Sequence, residues 1–178
     1  MQRHKVLRHC DLEIFGKLFK HRIMDWLYLF GFMTVGFIGM EFVSYCVHRW
    51  LFHGLLWRIH ESHHKPDHGL FELNDIFSLF FAGISIWLMV EGANAMFASP
   101  SFGIGSGIAV YGILYFIIHD LFAHKRFLPF SSESKVMKLI QRAHQRHHQD
   151  VGRKGHEPYG LFLFPYDRYP KKERKFDR

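Results

Sequence analysis

Ten of the fifteen histidines in this chain fall into one pattern written twice. The first copy is His48-x4-His53 followed by His60-x2-His63-His64. The second is His119-x4-His124 followed by His144-x2-His147-His148. Histidine is an uncommon residue, and matched offsets in both halves of a short chain mark a ligand set rather than scatter. Neutral imidazole is the commonest protein ligand for transition metals and suits iron, zinc, copper and nickel. Ten ligands exceed what one tetrahedral or octahedral ion accepts, so the count predicts two ions in one shared site.

Geometry within each copy refines this. If residues 60–64 are helical, offsets of three and four place His60, His63 and His64 on neighbouring positions of one face, and His144, His147 and His148 repeat the arrangement. Such a trio can reach one ion or lean across to a second. The x4 pairs differ, because five residues turn about 140° on an ideal α-helix. Either the two histidines of a pair serve different ions, or the helix distorts there. A structural zinc site needs four ligands, often with Cys, so this set is too large for that role. An all-nitrogen set fits iron that must change oxidation state. Glu41, Glu61, Asp75, Asp120 and Glu157 are the carboxylates that can accept the far ring N–H of a liganding histidine and fix its tautomer.

The elements that position these residues are apolar. Trp26 to about Val47 carries one acidic residue, Glu41; Ile76 to about Phe97 carries only Glu91; Phe102 to Ile118 carries no charge. Each is close to the ~20 residues a helix needs to cross a bilayer. The expected fold is an all-α integral membrane bundle of three to four transmembrane helices, capped by a cytoplasmic His-rich helical region, in a single domain over residues 1–178. His48 and His53 end the first span, and His119 and His124 end the third. An out-and-back hairpin turning near Ser99-Pro100 brings both copies to one membrane face. Lys and Arg are dense after His124, which predicts that this face is cytoplasmic.

Parity resists the simplest version. Three spans with a cytoplasmic C-terminus leave the N-terminus outside, yet residues 3–22 hold six Lys or Arg. The basic segment 1–25, with amphipathic spacing in Leu12-Glu-Ile-Phe-Gly-Lys-Leu-Phe-Lys, is a candidate to lie along the interface; a fourth crossing or a re-entrant segment in the first half is the alternative. Residues 166–178 read as a basic tail. Composition agrees with a membrane setting: 48% hydrophobic, twenty Phe, and a mean hydropathy of −0.06 because the charges are segregated. Cys10 and Cys46 are the only thiols and predict neither a disulfide framework nor a thiolate metal site. No cleavable signal pattern is read at the start, where charge continues up to the first apolar run.

Beyond the histidine spacing, the chain carries Gly39-Met-Glu, His53-Gly, Ser62-His-His, Phe71-Glu-Leu-Asn-Asp, Tyr111-Gly-Ile-Leu-Tyr-Phe, His119-Asp and Ala143-His-x-x-His-His. From about Gly39 to Pro165 it resembles the bacterial β-carotene hydroxylases of the membrane di-iron fatty acid hydroxylase superfamily. The superfamily shares the histidines among many substrates; the 71–75 and 111–120 stretches resemble the carotenoid branch in particular. The resemblance implies two non-haem iron ions, O2 as co-substrate, and hydroxylation at C3 of the β-ionone rings of β-carotene, by way of β-cryptoxanthin to zeaxanthin. A hydrocarbon dissolved in the bilayer must reach the metal from within the membrane, and Phe77, Phe80, Phe81, Trp87, Tyr111, Tyr115 and Phe116 are candidates to line that route.

Electrons must come from elsewhere. No Gly-rich nucleotide fingerprint and no Cys set for an iron–sulfur cluster is present. The resemblance implies a reduced ferredoxin. With a net charge of +7, the basic residues Lys125, Arg126, Arg142, Arg146, Arg153, Lys154 and Lys171-Lys-Glu-Arg-Lys form a face that attracts an acidic carrier or anionic lipid headgroups. Because these residues flank spans, a nucleic-acid role is excluded. The competing readings are a hydroxylase of a fatty acid, sterol or other membrane lipid, and a non-enzymatic His-rich metal carrier. The carrier is disfavoured because only Glu41 and Glu91 sit deep in the spans.

Overall fold

A computed structural model describes residues 2–65, 69, 71–128, 130–149, 152–164 and 168, with side chains from residue 18 onward. The described residues form helices and connections, with no strand among them. The first helix, α1, runs Gln2–Cys46 and continues as a π-helical end, Val47–Leu55. A short α2, Trp57–His60, passes into a 3-10 turn, Glu61–His64. Then come α3, Asp75–Gly92, and α4, Pro100–Tyr115, the latter with its own π-helical end, Phe116–Ala123. The last helix is α5, Lys135–His148.

Three helices are long and apolar enough to cross a membrane: Leu18–Leu55, Asp75–Gly92 and Pro100–Ala123. Their outward side chains are large and apolar, Phe30, Ile38, Trp87 and Ile113 among them. In water such a surface would be unfavourable, and in lipid it is the expected one. The described residues therefore form a membrane helical bundle with three candidate spans. The interfacial candidate segment is helical from Gln2 and continuous with the first span. The second span ends five residues before the predicted Phe97. Gly92 is the reason, since a Cβ there would stand 2.3 Å from Ser99 Oγ, where α4 begins. Ser99 caps α4 by accepting the Phe102 N–H at 3.2 Å, with Pro100 in the first turn.

Without a hydrophobic drive between helices in lipid, close backbone approach holds them together. A Cβ on Gly107 would lie 2.1 Å from the Met33 carbonyl oxygen, and one on Gly36 would lie 2.3 Å from that of Ile104. Thus α1 and α4 touch backbone to backbone. Ser85 in α3 donates to the Gly105 carbonyl at 2.7 Å and ties α3 to the same helix. At the far end Trp26 packs on Phe97 at 4.6 Å, which sets the level of the 93–99 turn. At the other end α1 leaves the bundle, α3 enters it and α4 leaves it. The amphipathic α5 lays Ile140, Ala143, His144 and His147 against that end, over a core with Ile118, Leu161 and Phe164.

Candidate metal centre

The x4 spacing is explained by the two π-helical ends. In a π-helix the N–H of residue i+5 bonds the carbonyl of residue i, so one turn closes over five residues. The His124 N–H donates to the His119 carbonyl at 2.9 Å, and the Leu56 N–H to that of Leu51 at 2.8 Å. Residues five apart then share a face. The His48 and His53 rings stand 5.2 Å apart, and those of His119 and His124 stand 4.6 Å apart. Of the two options open in the sequence, it is the helix that distorts.

The histidines gather in two groups. His48, His53, His60, His64 and His147 form one; His63, His124, His144 and His148 form the other. Within each, one nitrogen per ring lies within 4.8 Å of all the rest. His119 stands against the second group, its Nε2 3.2 Å from that of His63 and its ring 4.6 Å from those of His124 and His144. Each half lends one ligand to the other: His63 joins the second copy, and its counterpart His147 joins the first. Adjacent residues on a helix diverge by about 100°, so His63 and His64 cannot address one point. The groups share a wall, where His64 stacks on His148 at 4.3 Å.

Behind the rings, acceptors fix the tautomers. His48, His53 and His147 donate from Nδ1 to the carbonyls of Tyr159, Arg153 and His156, at 2.8, 3.1 and 2.5 Å. His60 Nδ1 meets Asn74 Oδ1 at 3.3 Å, His63 Nδ1 meets Glu72 Oε2 at 2.6 Å, and His119 Nδ1 meets Asp120 Oδ1 at 3.2 Å. A carbonyl only accepts, so the proton of a neutral ring sits on Nδ1 and Nε2 carries a lone pair. His53 and His147 nevertheless face each other Nε2 to Nε2 at 3.1 Å, and His63 and His119 do so at 3.2 Å. Two lone pairs at that separation repel unless a cation lies among them.

Protonation does not relieve the conflict at neutral pH. Burial, the largest cause, holds His147 down to about 3 despite the His156 carbonyl that raises it. Burial and the neighbouring rings push His60, His63, His144 and His148 down as well. His148 Nε2 is buried with no hydrogen-bond partner. Neutral imidazoles aimed inward and backed by fixed acceptors are what a first-row transition ion requires. The residues fit metal ions.

Among the five predicted carboxylates, Asp120 touches a candidate ligand, His119. Glu41, buried in the first span, accepts the Tyr111 hydroxyl at 2.8 Å and the Phe162 and Leu163 amides at 2.9 and 2.8 Å. It anchors the 159–164 strap, so it acts on His48 only through the Tyr159 carbonyl. Glu61 pairs with Lys65 at the surface, and Glu157 with Tyr45 and Arg49. Asp75 accepts the Glu72 amide at 2.9 Å and a bidentate grip from Arg126, at 2.6 and 3.1 Å.

Glu72, Asn74 and Arg126 are the functional candidates that spacing missed. Arg126 also reaches Asp120 at 2.9 Å and Glu72 at 3.8 Å. Its neighbours Lys125 and Phe127 hold φ of 55° and 52°, a left-handed conformation that side chains disfavour, and the chain accepts it twice to turn Arg126 inward. Buried there, Arg126 is not part of a basic outer face, which corrects the sequence expectation.

An apolar cavity of about 590 Å³ opens between α1, α3 and α4 and ends at His48 and His60. Phe77, Phe81, Tyr111, Tyr115 and Phe116 line it. Phe80 and Trp87 do not: they are 61% and 65% exposed on the outer surface of α3, opposite the side that faces the cavity.

The profile of the fatty acid hydroxylase family matches residues 33–171. The chain is 45% identical over 132 residues to beta-carotene 3-hydroxylase 1, chloroplastic, of Arabidopsis thaliana, covering 72% of this chain and 42% of that protein. It is 42% identical over 135 residues to the beta-carotene hydroxylase of Pseudescherichia vulneris, covering 75% and 73%. To that of Pantoea ananas it is 38% identical over 142 residues, covering 79% and 78%. The chain thus spans less than half the plant protein and most of the bacterial ones. No solved structure matches it.

Proposed function

The chain belongs to the fatty acid hydroxylase family, and from that premise we propose that it hydroxylates C3 of the β-ionone rings of β-carotene, giving β-cryptoxanthin and then zeaxanthin. The observation that carries this reading is the apolar cavity ending on His48 and His60, in a chain similar to proteins named for that hydroxylation. Each round consumes one O2, two electrons and two protons, and yields one C–OH and one water.

The ten histidines are the proposed ligands of two non-haem irons, His48, His53, His60, His64 and His147 for one, and His63, His119, His124, His144 and His148 for the other. When bound, the irons supply O2 activation and the electron transfers. The chain's own part is positioning. Carbonyls behind His48, His53 and His147, with Glu72 and Asp120 behind His63 and His119, keep every one of these Nε2 lone pairs directed inward. Phe77, Phe81, Tyr115 and Phe116 hold the hydrocarbon ring in a space that excludes water. The lining continues along the spans to Ser85, Ile86 and Ile108, which supports entry of the substrate from within the bilayer.

Electrons come from a reduced ferredoxin docking at the histidine end, where Lys125, Arg142, Arg146, Arg153 and Lys154 supply positive charge. That end faces the cytoplasm from the inner membrane. The test is pigment chromatography of a bacterial host that makes β-carotene and expresses this chain. Conversion to β-cryptoxanthin and zeaxanthin, lost with His63→Ala, is the expected result. Unchanged β-carotene with iron-loaded protein in the membrane would transfer the reading to another membrane lipid.

A further inference from the structure

The two histidine groups are built alike in their ligands and unlike in what stands behind them. Four of the five histidines in the first group are backed by neutral acceptors: the carbonyls of Tyr159, Arg153 and His156, and the Asn74 amide. In the second group His63 is backed by the Glu72 carboxylate, and the adjoining His119 by that of Asp120. Asp75 adds a third carboxylate to this cluster, and the Arg126 guanidinium reaches all three. These three carboxylates are 3% to 30% exposed, so water screens their charge little. The cavity makes the complementary distinction. His48 and His60, both of the first group, line it, and none of the second group's histidines does.

We propose that the two metal positions divide the work. The one held by His48, His53, His60, His64 and His147 meets the substrate, and the one held by His63, His119, His124, His144 and His148, backed by Glu72 and Asp120, has the lower reduction potential and is oxidised first. The argument rests on the two-iron reading above. A carboxylate hydrogen-bonded to the far nitrogen of an imidazole makes that ring a stronger donor than a carbonyl does, and its charge favours Fe3+ over Fe2+. Glu72 acts through His63 and is a positioning residue in this sense.

The experiment is a stepwise anaerobic titration of the iron-loaded, detergent-solubilised protein with ferricyanide, followed by Mössbauer spectroscopy. Each equivalent takes one electron, converting one Fe2+ to Fe3+ as ferricyanide becomes ferrocyanide. Iron analysis comes first: fewer than two irons per wild-type chain overturns the two-iron reading itself, and this proposal with it. With two irons present, wild-type protein should show two separated couples. Glu72→Gln keeps an acceptor for His63 and removes the charge, so it should raise the lower couple and leave the upper one in place. Asn74→Asp adds a carboxylate behind His60 and should lower the upper couple. If Glu72→Gln fails to hold iron, Asp120→Asn reads the same lower couple. Charge removal at Glu72 or Asp120 that shifts the upper couple, both equally, or neither, overturns the proposal.

Discussion

Gly155 has room for a hydrogen and nothing larger. Its φ of +55° is a left-handed conformation, and a Cβ there would stand 2.5 Å from Nδ1 of His53, the atom that donates to the Arg153 carbonyl. Gly155→Ala costs about 1–2 kcal/mol in backbone conformation and pushes the His53 ring off its acceptor. The expected outcome is iron content falling toward one per chain with helicity retained, read by metal analysis beside far-UV circular dichroism. Full loading would mean that the ring yields without losing its ligand geometry. Why the histidines were legible in the sequence and their backing was not follows from the same scale. An imidazole announces its chemistry by residue type and offset, whereas every residue owns a carbonyl, so nothing marks those of Arg153, His156 and Tyr159. Glu72 lies nine residues from His63 across a connection with no helical period. Glu41, Glu61 and Glu157 lie near the motifs in sequence and serve a strap, a surface pair and an Arg49 contact in space.

Between elements, geometry is set by what is missing from the side chains. The carbonyl of Met33 occupies the place a Gly107 Cβ would take, at 2.1 Å, and being backbone it cannot swing away. Gly107→Ala therefore forces α1 from α4, an overpacking worth about 1–3 kcal/mol. Gly83 on α3 has nothing within 4 Å of its Cβ position, and Gly83→Ala gains about 0.8–1 kcal/mol of helix propensity. Thermal melting in detergent should show a lower Tm for the first variant and an equal or higher one for the second. Equal melting of Gly107→Ala and wild type would mean that the helix pair is not held by this approach. The spans were readable as apolar runs because lipid demands little else of a helix. The π-helical ends were readable only as a conflict, since a five-residue spacing does not fit an α-helical face. Its resolution needed the i+5 hydrogen bond from His124 to His119.

At the scale of the molecule, the distribution of basic residues sets which way the bundle points. From Trp26, level with the 93–99 turn through its contact with Phe97, to Val47 is about 21 residues, or about 32 Å of helix. That matches the ~30 Å hydrocarbon core. Residues before Trp26 therefore extend α1 past the face opposite the histidines, and the six basic residues between 3 and 22 belong to that side. Against them, the other seventeen of the 23 Lys and Arg all follow His48 in the sequence. Since orientation follows the larger basic excess in short segments beside the spans, the histidine end should be cytoplasmic. The 93–99 turn, with no Lys or Arg, should face out. With Cys10 and Cys46 both replaced by Ser, an impermeant thiol reagent added to spheroplasts should label Ala95→Cys, and should reach Gln149→Cys only after the membrane is opened. The reverse pattern would place the metal centre outside, away from cytoplasmic ferredoxin, so the same labelling that fixes the topology also decides whether the proposed electron donor has access.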